Sequence, residues 1–242
     1  VTLDSDEGGA FLSIKDFGVG LSPDRIENVY KKLFKSTKRD TNDQIGAFGL
    51  GRFSIFSYTN NFYLTTVHNG VKYSYQLFLT DGVPQMVDLF TQPVTEINST
   101  DVKVYIKKDD IKIFREKIAS TLVYFKNVYV QDSLRVNSGD TIFNNEHKIV
   151  EADTFLYSTQ EPDDRLHISL GGVYYPINWN ALGLGAINMP CALKLNVGDL
   201  PVTRSREEIK YTPEAVSKLT DAIVKFKREV NEIYVTQTIF NI

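Results

Sequence analysis

Residues 44–58 read QIGAFGLGRFSIFSY: three glycines, Gly46, Gly49 and Gly51, run into a short apolar segment. Glycines at this spacing let successive backbone N–H groups point into one concavity, and a helix behind them adds a positive dipole end. Such a loop suits phosphate. It suits a plain turn between packed elements equally well, and the stretch alone does not separate the two. No Gly-Lys-Ser/Thr follows, so it is not the P-loop, and G-x-x-G-x-G is not the dinucleotide order G-x-G-x-x-G. Upstream, residues 14–22 read IKDFGVGLS, a strand ending in Asp16 and followed by Gly18 and Gly20. A carboxylate at a strand end can accept a hydrogen bond from an amine while the glycines let backbone approach a flat ring. Adenine presents that amine. A tight turn with Asp16 as a local cap is the competing reading.

Around these two segments the pattern is mixed. Residues 1–3 and 10–16 alternate about DSDEGG and predict a hairpin. Ser22, Pro23 and Asp24 are a cap, a first-turn proline and an acid at the positive dipole end of a helix, with Ile26, Val29, Tyr30 and Leu33 on one face. NFYLTTV and VKYSYQLFL flank Asn69-Gly70, a strong hairpin signal, and TDVKVYIK reads as a closing strand. Ile111, Phe114, Ile118, Leu122 and Phe125 predict a second helix, capped by Asp110, before a strand at KNVYVQD. Residues 132–164 read as irregular with a short strand. RLHISLGGVYYPIN is a hairpin turning at Gly171-Gly172, and CALKLNVGDLPVTRSREEI is a strand running into a basic loop. Thr212 and Pro213 open a last helix carrying Ala215, Leu219, Ile223, Phe226 and Val230 in register. The expectation is an α+β chain in two parts, residues 1–107 and 108–242.

Composition narrows the function classes. Hydrophobic residues make up 42% and charged residues 24% of 242, enough for a real core. A net charge of −3 with pI about 5.7 gives no global basic field for nucleic acid. No apolar run is long enough to span a bilayer, no signal peptide is read, and the one cysteine, Cys191, excludes an internal disulfide. Cys191, in an apolar strand, is expected to be a small buried residue. His68, His147 and His167 show no metal-ligand spacing, and Ser54 and Ser57 lack a paired histidine.

Asp16-x-Gly18-x-Gly20, then a helix, a polar lid-like stretch and Gly46-x-x-Gly49-x-Gly51, resembles the GHKL (Bergerat-fold) ATPases: gyrase B, the large heat-shock chaperones, MutL and histidine kinases. The resemblance implies a GHKL α/β sandwich, its N-terminal part missing, followed by a transducer-like βαβ domain. It implies ATP as ligand, with Asp16, Gly18 and Gly20 at the adenine. Gly46, Phe48, Gly49, Leu50 and Gly51 would close over the triphosphate, and Ser36, Thr37 and Lys38 lie where family members contact phosphates. A solvated helix end is an equal reading of those last three, and Lys35 and Arg39 read as surface charges. DLPVTRSREEI, residues 199–209, is similar to the heat-shock chaperone segment from which an arginine reaches the γ-phosphate, and the matching residue is Arg206. A guanidinium suits that task through its fixed charge and forked donors. KDFGVGLS, NDQIGAFGLGRFSIFSYTNNF, LGGVYYPIN and VGDLPVTRSREEI together resemble the rIIA-like rapid-lysis proteins of phages, in which a GHKL domain precedes a transducer-like one and the protein acts at the host membrane in lysis timing.

The chain departs from the family at its start. GHKL enzymes carry a glutamate base and a magnesium-binding asparagine on a helix before the DxGxG strand, whereas fifteen residues precede Asp16 and read as a hairpin. There is no initiator Met, so a fragment is expected, one that alone hydrolyses ATP poorly or not at all. The intact protein is expected to be an ATP-driven, Mg2+-dependent conformational clamp, able to dimerise through the upstream segment and to engage a further protein partner. It is expected in the cytoplasm, the host's for a phage protein, with membrane association only indirect. The alternative is a non-hydrolysing interaction scaffold of the same fold. A sensor histidine kinase ranks lower, because its phosphoacceptor helix should precede the ATP domain.

Overall fold

The computed structural model describes residues 1–30, 51–161, 163–203 and 208–240. They fall into two compact units, Val1–Ile113 with Tyr129–Asp140, and Phe114–Val128 with Thr141–Ile242.

The first unit is built on β1 (Thr2–Asp6), β2 (Gly9–Asp16), β3 (Asn61–His68), β4 (Val71–Thr80), β5 (Val83–Pro93), β6 (Ser99–Tyr105) and β7 (Gln131–Asp132). The strand order is β5-β4-β3-β6-β2-β1-β7, antiparallel except where β7 runs parallel to β1. β6, expected to close the sheet, instead lies between β3 and β2. Period-two alternation buries Leu12, Phe62, Leu64, Leu77 and Val104 on one face, each worth roughly 2 kcal/mol on full burial. The Asn69-Gly70 and Asp81-Gly82 turns have φ of 50° and 74°, and 50° and 75°, the double positive φ of tight hairpins. The second of these turns opens β5, a strand absent from the sequence reading although Asp-Gly is the same signal.

β5 forms an edge of this sheet, and the two turns set its hydrogen-bonding phase. Thr80 pairs with Val83 directly across the Asp81-Gly82 turn, so the next residue, Pro84, directs its nitrogen away from β4. Val71 pairs with His68 across the other turn and is spent on β3, so its β4–β5 partner Pro93 likewise faces outward. A bulge between Ser74 and Tyr75 reconciles the two phases.

Helical parts of this unit begin as expected. Ser22 Oγ accepts the Arg25 N–H at 3.3 Å, Pro23 opens α1 (Pro23–Arg25), and a π-helical turn Ile26–Tyr30 follows, with Ile26 fully buried. Leu33, the last residue of the expected stripe, lies outside the described residues. The cap assigned to Asp110 needs correction. The second helix is entered through a 3-10 turn, Lys108–Asp110, and Asp110 Oδ2 accepts the Tyr58 hydroxyl at 2.7 Å. That hydroxyl in turn accepts the Lys107 N–H at 2.9 Å.

The boundary between the units passes through α2 (Ile111–Thr121). The helix stops short of Leu122 and Phe125, and Val123 and Tyr124, just past its end, are buried instead. The KNVYVQD strand shrinks to the two residues of β7.

The second unit has a five-stranded sheet, β11-β10-β12-β9-β8, made of β8 (Ile149–Glu151), β9 (Phe155–Ser158), β10 (His167–Leu170), β11 (Val173–Pro176) and β12 (Ala192–Leu195). β10 and β12 are parallel, so a crossover must join them, and it carries β11 and the short α3 (Trp179–Leu182). Thr212 Oγ1 accepts the Ala215 N–H at 3.2 Å to cap α4 (Pro213–Phe240). Ala215, Leu219, Ile223 and Phe226 of α4 pack on Leu166, Ile168, Leu170 and Leu193, as the 3.6-residue spacing requires. Glu229 ties the helix to the β8–β9 turn by accepting the Asp153 and Thr154 N–H groups, each at 2.9 Å.

Candidate functional site

Asp16 is the last residue of β2 and the register partner of Thr100 on β6, which in turn pairs with Thr66 on β3. Directly opposed residues point to the same side of a sheet, so all three stand in one row on the face of Leu12 and Leu64. The Asp16 carboxylate is exposed. Its Oδ1 accepts the Gly18 N–H at 2.9 Å, which turns the chain and leaves Oδ2 open among the described residues. A β-carbon on Gly18 would come within 2.9 Å of Asp16 Oδ1, so glycine keeps the approach to the carboxylate clear. Asp16 thus caps its own turn through one oxygen, while its other oxygen has no partner among the described residues.

Gly20 does a different job. It is buried at φ +71°, and a β-carbon there would lie 2.0 Å from the Val67 carbonyl oxygen. The next amide, Leu21 N–H, donates to Thr66 Oγ1 at 2.8 Å, and the Thr66 hydroxyl donates in turn to the Ser99 carbonyl at 2.9 Å. His68 Nδ1 lies 2.9 Å from the Val19 carbonyl oxygen. Phe17 and Val19 point outward, 68% and 65% exposed. The strand-end carboxylate and its glycine loop are therefore docked on the end of β3.

Gly51 opens a 3-10 helix, Gly51–Ser57, in which Ser57 Oγ donates to the Ser54 carbonyl at 2.7 Å. Ser36, Thr37, Lys38, Gly46, Phe48, Gly49 and Leu50 lie outside the described residues, as do Lys35 and Arg39. Arg206 also lies outside them. The chain on either side of its loop is joined as a hairpin, with a Val202–Ile209 bridge and Thr203 N–H donating to the Glu208 carbonyl at 2.9 Å.

Thr66, Thr100 and His68 were not site candidates from sequence. Thr66 carried a readable signal: it is in phase with Phe62 and Leu64, so a polar side chain was due on a buried face, and it is fully buried. Elsewhere, burial pushes the Cys191 thiol up to about 12, which suits an inert core residue.

Of the groups a GHKL fold implies, an adenine would be met by the Asp16 oxygen that is open among the described residues, beside the clear approach at Gly18. For magnesium, no three His, Cys, Asp or Glu side chains gather to hold a metal ion among the described residues. Nor is any helix among them long and apolar enough to cross a membrane.

Residues 1–110 match the family model described as histidine kinase-, DNA gyrase B- and HSP90-like ATPase. Among solved structures the chain is similar to the ATPase region of Saccharomyces cerevisiae topoisomerase II, at 12% identity and TM-score 0.53, over 95% of this chain and 79% of that one. The same yeast region bound to ICRF-187 (dexrazoxane) gives 12% identity and TM-score 0.51, over 94% and 78%. The ATPase and transducer domains of DNA topoisomerase II from Balamuthia mandrillaris give 12% and 0.51, over 97% and 79%. No curated protein sequence matches the chain. At that identity the likeness establishes the fold, the mixed α+β arrangement of a GHKL ATPase region with its transducer part.

Proposed function

We propose that this chain is the nucleotide-binding and transducing part of a GHKL-type protein of the rIIA-like kind, which in its intact form works as an ATP-driven clamp. The observation that carries the reading is the Asp16 carboxylate, held at the end of β2 by its own glycine turn with one oxygen open among the described residues, inside the segment that matches the ATPase family. In this reading Asp16, Gly18 and Gly20 receive adenine. Gly46, Phe48, Gly49, Leu50 and Gly51 cover the phosphates with Ser36, Thr37 and Lys38. Arg206, on its hairpin-based loop, senses the γ-phosphate and couples residues 1–107 to residues 108–242. The assignment is to ATP binding. No residue of this chain is given the part of water-activating base or magnesium ligand, and Mg2+, dimerisation, a further protein partner and indirect membrane contact belong to the intact protein.

Calorimetry with ATP and a non-hydrolysable analogue tests it. Asp16→Asn should weaken ATP binding about tenfold or more, the weight of a hydrogen bond to a charged acceptor. An Asn variant with unchanged affinity removes adenine from Asp16. Equal binding of ATP and analogue with no phosphate release would assign the nucleotide as a static ligand, the property of an interaction scaffold.

A further inference from the structure

The loop that carries Gly18 and Gly20 leaves β2 without regular structure of its own, so something outside it must hold its backbone in place. Three contacts do so, and all come from the last residues of β3. Thr66 Oγ1 receives the Leu21 amide, the Val67 carbonyl packs against Gly20, and His68 faces the Val19 carbonyl. A carbonyl oxygen only accepts, so Nδ1 of His68 carries the proton and donates. The donor is itself fixed. His68 ends β3 at the Asn69-Gly70 turn, and the Asn69 N–H of that turn donates to Asn98 Oδ1 at 2.9 Å, just ahead of the strand that places Thr100 opposite Asp16.

Thr66 and Gly20 fix the inner, buried side of the loop. Val19 is its exposed apex, and among the described residues the only hydrogen bond given to the apex carbonyl comes from His68. We infer that His68 is a positioning residue for the nucleotide loop: its Nδ1–H latches the Val19 carbonyl and so sets the backbone between Asp16 and Leu21 at the distance a planar base needs. The inference rests on the nucleotide reading of Asp16 but makes a separate claim. The donor required is a nitrogen one bond beyond Cγ, and it acts through the loop backbone without touching the ligand.

Three substitutions separate a latch from simple packing. Asn places its amide nitrogen where imidazole has Nδ1, Gln places it one bond too far, and Ala removes it. In the full chain, amide hydrogen exchange at residues 18–21 should quicken ~5-fold or more in His68→Ala and His68→Gln and stay near wild type in His68→Asn, the scale of one net hydrogen bond. ATP affinity by calorimetry should follow the same order, with a loss of ~5-fold in Ala and Gln and less than about twofold in Asn. Equal exchange in all four proteins, or Asn behaving like Ala, overturns the latch. If the exchange order appears while the wild-type chain binds no ATP, the nucleotide reading fails and the positioning role for it fails with it. If ATP binds and Asp16→Asn weakens it, but His68→Ala leaves affinity unchanged, the nucleotide reading stands and the positioning role is overturned.

Discussion

At Gly20 the chain has no room for any other residue: φ is +71°, and a β-carbon would meet the Val67 carbonyl oxygen at 2.0 Å. Gly18 differs, because the atom a β-carbon would crowd is Oδ1 of the Asp16 side chain, which can rotate away. The two glycines of one motif should therefore respond differently to alanine. Gly20→Ala should cost about 2 kcal/mol or more of unfolding free energy, from left-handed backbone strain and a backbone clash together. Gly18→Ala should cost well under that and act on ligand affinity by moving the carboxylate. Chemical denaturation of both variants checks this, and equal losses would contradict it. The sequence motif alone does not distinguish the two positions; that takes the backbone of β3, forty-seven residues away along the chain from Gly20 to Val67.

Among the elements, α4 was fully legible. Its cap, its first-turn proline and the buried stripe Ala215, Leu219, Ile223 and Phe226 agree at every level. α2 was legible only in part, because an apolar stripe does not mark where a helix ends, and Leu122 and Phe125 continue the spacing past the last turn. β5 was missed because its residues are exposed and do not alternate cleanly, as befits an edge. Val83, Val87, Leu89 and Phe90 of β5 are 42–55% exposed, a composition that invites another strand. Pro84 and Pro93 oppose this by removing two outward-facing donors. Replacing both with threonine should raise the sedimentation-velocity mass with concentration relative to the parent chain. An unchanged profile would mean that the two prolines do not guard the edge.

Over the whole molecule, stability against pH should carry two opposed contributions from one buried cluster in the second unit. His167 is 3% exposed on β10, its ring tilted at 4.3 Å from the Tyr174 ring, and burial holds its pKa below the ordinary value against the pull of Asp163. The folded chain thus resists protonation that the unfolded chain accepts below about pH 6.5, so this contribution is present above that pH and is lost as pH falls toward the lowered value. Glu161 runs the other way. Burial raises its pKa, although the Tyr124 hydroxyl at 2.6 Å and the Ser158 amide oppose the shift. Its contribution is full below about pH 4.3 and is lost as pH rises through the raised value. Measured as differences from the parent, His167→Gln should gain relative stability as pH drops from about 6.5, and Glu161→Gln should gain it as pH climbs from about 4.3. Slopes of the same sign in the two variants would refute the assignment.

The mixed α+β class was legible in the alternating strands and helical stripes, and the GHKL arrangement only as a resemblance carried by two glycine motifs in order. The support beneath the site was not, because Thr66 and Thr100 line up with Asp16 through strand register and His68 meets the loop at the Val19 carbonyl, relations between distant segments that no local pattern records.

The membership of residues 129–140 in the first unit has a topological consequence. The polypeptide passes between the units at 113/114, again at 128/129 and again at 140/141. A single nick at any one of these points leaves the units joined through the other two passages. A chain ended after residue 107 would also lose β7, uncovering the outer side of β1 and the Val1 nitrogen that donates to the Tyr129 carbonyl. The first unit therefore becomes a separate piece only when a stretch from beyond its nominal end is supplied with it, and expression of its two segments together is the form in which it can be isolated.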